Sequence, residues 1–212
     1  MKDFFNMDNS FGLSSYHSND EDKDKNGIKS RAVIYQTTIR MENRWKKKRV
    51  EEVVTDLPRQ GESMHIVSNG SFDYFTLVPR IIDLSLADYC SEYYFSTWTM
   101  SHDHVLQIID LFNNGYIKQV TALTGEYFRT RESATYSILA NWCEVNGQRH
   151  FANKNHSKVT LLKMGNEYFT IEGSANYTAN PRIEQFVLSN HKELYYFHRE
   201  WMEMLLNGQK MS

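Results

Sequence analysis

Between His156 and Glu184 the chain reads HSKVTLLKMGNEYFTIEGSANYTANPRIE, two apolar runs joined by a short polar turn. Val159–Leu162 and Tyr168–Ile171 flank Met164-Gly165-Asn166-Glu167. A Gly-Asn pair between β-prone segments predicts a hairpin. His156 and Lys158 are two apart, so on an extended strand they share a face. If the second strand pairs with the first, Ser174 and Asn176 emerge just beyond its end, where Gly173 permits close backbone approach. An imidazole, an ammonium, a hydroxyl and an amide then meet at one end of a sheet.

Working outward, Gln185–Ser189 reads as a further strand with Glu184 at its beginning, and Arg182 is placed to face the same site or a partner subunit. Beyond it, Leu194, Phe197, Trp201 and Leu205 recur at helical spacing between Lys192 and Leu206, which predicts a core-packing helix. Upstream, strands are expected at Arg31–Arg40, His65–Ser68, Tyr93–Met100 and Tyr116–Leu123. Helices are expected from Phe72 to about Ala87, from Asp103 to Phe112 and from Arg129 to Glu144, with Pro79 breaking or kinking the first. Strands separated by helices of this length imply right-handed crossovers. The fold class is therefore α/β, a mixed, largely parallel sheet flanked by helices, with the hairpin as its antiparallel part.

In open α/β sheets ligands sit beyond the carboxyl ends of the strands. That rule makes Ser71 and Ser101 candidate substrate-binding positions, beside Ser68, Asn69, Thr99, Thr124 and Gly125, although helix capping explains most of them. Arg129 and Arg131 are candidate phosphate contacts. His102-Asp103-His104 has no accompanying ligand pattern, so no metal site is expected there.

A length of 212 residues, 41% of them hydrophobic, suffices for one full core. Residues 1–30 are polar and charge-dense and read as a flexible arm, leaving 31–212 as the folded domain. Arg44-Trp45-Lys46-Lys47-Lys48-Arg49 is the one dense basic cluster, read either as a phosphate contact with a stacking Trp45 or as a solvated helix face. A formal charge of −2 gives no global attraction to polyanions, so any such contact must come from a local patch. Cys90 and Cys143 fit reduced core thiols. With no export signal and no run of transmembrane length, a cytoplasmic protein is expected.

The order His156-x-Lys158, a strand pair, Gly173-Ser174-x-Asn176 and then Glu184 resembles the active-site motif of the phospholipase D superfamily. Lys163 stands where the common form of that motif has Asp, and the spacing to Gly173-Ser174 is a few residues longer. The resemblance implies a phospholipase D-like α/β sandwich and phosphodiester chemistry that uses neither metal nor cofactor. It assigns the attack on phosphorus to His156, giving a phosphohistidine, and phosphoryl contacts to Lys158, Asn176 and Ser174. Glu184 is implied as a carboxylate that fixes an imidazole tautomer. Gly173 and Arg182 would lie against the substrate. One His-x-Lys per chain implies that a homodimer completes the site. Short chains with a single motif are often nucleases of bacteria, phages or mobile elements, so nucleic acid is the expected substrate. The alternative is a non-catalytic relative that binds DNA or protein within a larger assembly, and lipid hydrolysis is a third possibility.

Overall fold

The structure is a computed structural model that describes residues 31–35, 39–40, 50–178 and 182–208. The arm at residues 1–30 and the basic cluster Arg44–Arg49 lie outside the described residues. In chain order the elements are β1 Arg31–Tyr35, β2 Ile39–Arg40, α1 Val50–Val53, β3 Ser63–Ser68, a 3-10 turn Tyr74–Thr76, α2 Leu77–Leu84, β4 Glu92–Thr97, α3 His102–Asn113, β5 Val120–Gly125 and α4 Glu126–Arg131. They continue with α5 Ser133–Val145, β6 Arg149–Asn153, β7 Val159–Met164, β8 Glu167–Gly173, β9 Glu184–Asn190 and α6 Lys192–Leu206.

The strands form one nine-stranded sheet in the order β2-β1-β3-β9-β8-β7-β4-β5-β6. The α/β class and the mixed sheet flanked by helices are as expected. The proportion of parallel strands differs: β4–β5 and β5–β6 are parallel, and the other six pairings are antiparallel. Crossovers through α3 and α5 return the chain to the far edge and give the two parallel pairs. Residues 154–158, between β6 and β7, include no helix to carry the chain back, so β7 starts at the edge where β6 ended and runs against β4. The predicted hairpin then adds β8, with Gly165 at φ +58 as the first residue of its turn.

Central strands are covered on both faces, which is why they read as continuous apolar runs. On one face Tyr93, Phe95, Leu162 and Met164 join the core beneath α2, α3 and α5. On the other, Tyr94, Val159 and Leu161 pack against Tyr195 and Met202 of α6. The buried residues of α6 are Tyr195, His198 and Met202. Phe197, expected on that inner face, is 63% exposed. His198 takes the inward place, with the Glu172 carboxylate on β8 3.2 Å from its Nε2 and the Trp201 indole donating to its Nδ1.

Some local expectations change. Asp73, not Ser71, caps the turn ahead of α2, its carboxylate accepting from Thr76 N. Pro79 falls in the first turn of α2, where no intrahelical N–H is needed. The helix expected from Arg129 to Glu144 is split at Glu132 into α4 and α5. Cys90 and Cys143 are free and buried, and burial pushes both thiols up to about 12. Among the described residues no helix is long and apolar enough to cross a membrane.

Candidate active site

One edge of the sheet collects the ends of β3, β4, β5, β6 and β8 and the beginnings of β7 and β9. His156 and Lys158 lie in the extended segment just before β7. The Lys158 ammonium is 3.1 Å from His156 Nδ1 and donates to the His156 carbonyl oxygen at 2.6 Å. His156 itself is exposed. Burial lowers the Lys158 pKa, and the nearby Glu184 carboxylate opposes that shift.

Three side chains that carry no motif signal, Asn155, Ser157 and Ser96, hold this segment. Asn155 Nδ2 donates to Ser96 Oγ at 2.9 Å and to the Thr97 carbonyl at 3.3 Å, while its Oδ1 accepts from Ser157 N and Oγ. Ser157 and Ser96 hydroxyls also meet directly at 2.5 Å. The loop is thereby tied to the end of β4 on both sides of His156.

The second half of the site follows β8. Gly173 N donates to the Lys158 carbonyl at 3.2 Å. A Cβ on Gly173 would stand 2.7 Å from Cδ1 of Phe186, its cross-strand partner on β9, so this end of the β8–β9 pairing needs glycine. Ser174 Oγ donates to Glu184 Oε2 and accepts from Gln185 N. The Ser174 proton is thus directed at Glu184 rather than at open space. Asn176 Oδ1 accepts from Trp98 N at 3.2 Å and from Thr97 Oγ1 at 3.4 Å, whereas its Nδ2 makes no hydrogen bond among the described residues. Trp98 links the halves, because its ring lies 5.4 Å from that of His156.

His156, Lys158, Gly173, Ser174, Asn176 and Glu184 are therefore brought together from three separate segments. Arg182 is exposed just before β9, two residues from Glu184. Ser101 Oγ accepts from His104 N as the cap of α3, and Ser101 N donates to the Tyr177 carbonyl, so its polar atoms serve the framework next to Asn176. Ser71 lies on the exposed loop after β3, its N–H directed to Asn69 Oδ1. Of the 102–104 triplet, His104 is buried between the Tyr177 carbonyl and Asp73. Among the described residues no group of three metal-ligating side chains occurs.

No family model and no curated protein matches the chain. Solved structures similar to it include Nuc from Salmonella typhimurium, a phospholipase D family member, at 19% identity over 60% of this chain and 83% of that one, with a TM-score of 0.46. NucT from Helicobacter pylori is similar at 12% identity over 62% and 88% of the two chains, with a TM-score of 0.48. Polyphosphate kinase from Porphyromonas gingivalis reaches a TM-score of 0.50 at 11% identity, over 70% of this chain and 26% of the kinase. At these identities the likeness is one of fold.

Proposed function

We propose that the protein is a metal-independent phosphodiesterase acting on nucleic acid through a phosphohistidine on His156, with a homodimer completing the site. The observation that carries the reading is the approach of Lys158 Nζ to His156 Nδ1 at 3.1 Å, on the sheet edge that also receives Asn176 and the Ser174–Glu184 pair. Residues far apart in the sequence motif converge where a phosphodiester can reach an exposed imidazole.

A lysine ammonium donating to Nδ1 occupies that nitrogen's lone pair and leaves the ring proton on Nε2. An incoming phosphate competes for the ammonium. When Lys158 turns to a phosphoryl oxygen, a ring lone pair is released beside the phosphorus. Nitrogen then bonds to phosphorus as the bond to the leaving oxygen breaks, and a histidine of the second subunit protonates that oxygen. Lys158 and the Asn176 Nδ2 donors stabilise the charge on the equatorial oxygens. Water, deprotonated by the second histidine, cleaves the N–P bond and regenerates His156. Glu184 holds Ser174 and supports the charge on Lys158.

The test is cleavage of a chromogenic diester and of single- and double-stranded DNA in excess EDTA. Wild type should cleave at least one substrate, and His156→Ala and Lys158→Ala should each lose at least about a hundredfold. Activity that needs added metal, or that is indifferent to His156, would overturn the proposal.

A further inference from the structure

Resting on the reading of His156 as the attacking group, we propose that Trp98 and Tyr127 form a stacking ledge for an unpaired base beside the scissile phosphate, which makes single-stranded nucleic acid the preferred substrate. The two rings are stacked, with centroids 4.2 Å apart and 25° between planes. The Trp98 ring in turn lies 5.4 Å from the His156 ring. An aromatic series therefore runs from the candidate nucleophile to Tyr127, which is 40% exposed at the first turn of α4.

The ledge is rigidly founded. Trp98 N donates to Asn176 Oδ1, and its carbonyl accepts from Gly125 N at 3.2 Å. A Cβ on Gly125 would stand 2.5 Å from the Trp98 oxygen and 2.7 Å from its Cδ1, so glycine is what lets Trp98 lie there. The same residue that fixes the Asn176 amide thus presents the ring.

Two exposed cations lie beside the ledge. Arg131 follows Tyr127 by four residues on α4, placing it on the same face, and Lys154 leaves β6 next to the His156 loop. Both are exposed, and neither forms an ion pair among the described residues. In a protein of net charge −2, cations beside an exposed aromatic ring are the pairing of features that single-strand binding uses, one for the phosphates and the other for a base. Bases within a duplex stack on one another and offer no free face, whereas an unpaired base stacks on an aromatic side chain whatever its identity.

The experiment measures binding as well as cleavage. Wild type, Tyr127→Ala and Tyr127→Phe are titrated into a fluorescently labelled single-stranded oligonucleotide, the same sequence as a duplex, an all-abasic oligomer of equal length and phosphatidylcholine vesicles. Tyr127→Ala should weaken single-strand binding about tenfold or more, Tyr127→Phe should restore it, and neither should alter binding of the abasic oligomer. Equal losses on the base-bearing and abasic strands, no loss on either, or a Tyr127-dependent affinity for vesicles exceeding that for the oligonucleotide would each overturn the ledge. Cleavage of the single strand by wild type in EDTA reports separately on the His156 reading, since the binding contrast does not require turnover.

Discussion

The Lys163 ammonium lies 2.8 Å from Glu92 Oε1, directly across the β4–β7 pairing and at the end of β7 remote from His156. Five steps along extended chain take Lys158 to Lys163, about 16 Å. Arg199 of α6 approaches the other Glu92 oxygen at 3.3 Å. The position at which the motif departs from the phospholipase D pattern is thus part of a structural ion cluster, remote from His156.

Lys163→Met should accordingly leave the cleavage rate within about twofold while lowering stability by roughly 1–2 kcal/mol, because a largely buried Glu92 loses one partner. Lys163→Asp, which sets a like charge opposite Glu92, should cost more. Initial rates together with urea melts check this. Loss of activity in Lys163→Met without a change in the melt would instead place Lys163 in the chemistry.

Gly125→Ala should damage the site and the fold together. The new methyl group meets the carbonyl and ring of Trp98, whose N–H holds Asn176, and, at 3.1 Å, the carbonyl of Asn155, which precedes His156. Overpacking of this kind costs about 1–3 kcal/mol, and small displacements of reacting groups cost as much as about a hundredfold in rate. Thermal unfolding and diesterase rates should therefore fall together.

His104 supplies a pH dependence. Burial acts to lower its pKa, but the hydrogen bond and charge of Asp73, with the Tyr177 carbonyl and Asp103, leave it raised. A raised value stabilises the fold fully below the unfolded pKa of about 6.5, and that stabilisation is lost as pH rises through the folded value. His104→Gln should cost about 1–3 kcal/mol at about pH 5.5, a deficit that narrows toward about pH 9. Urea melts of both proteins across that range give the comparison, and a deficit that widens with pH would contradict the assignment.

Mixing separates one chain from two. If both histidines of a dimer are required, subunits of wild type and His156→Ala co-folded in equal amounts should retain about one quarter of wild-type activity per chain, against about one half for independent monomers.

How much of this the sequence discloses depends on how local each signal is. The β7–β8 hairpin, α3 with its Ser101 cap and the span of α6 rest on turn, cap and periodicity signals within a few residues, and each was legible. β6, RHFAN, is a half-exposed edge strand without alternation and gave no such signal. The break at Glu132 between α4 and α5 carries neither Gly nor Pro. The hairpin reading places His156, Lys158, Gly173, Ser174 and Asn176 at one sheet end and the motif resemblance adds Glu184; the structure brings these six side by side. Asn155, Ser96 and Ser157, which secure the His156 loop, are polar residues whose roles exist only once β4 and β7 are neighbours. Trp98 read as the inside of a strand, whereas β4 ends at Thr97 and frees its backbone to clamp Asn176.

The most direct measurement is to trap the covalent intermediate. Wild type and His156→Ala are incubated with uniformly phosphorus-labelled single-stranded DNA in excess EDTA and quenched in alkali, and the label remaining on the protein is followed. An acid-labile, alkali-stable label is expected on His156 of the wild type and none on His156→Ala. Cleavage without a protein-bound label, or a label that persists in His156→Ala, would contradict a phosphohistidine on His156.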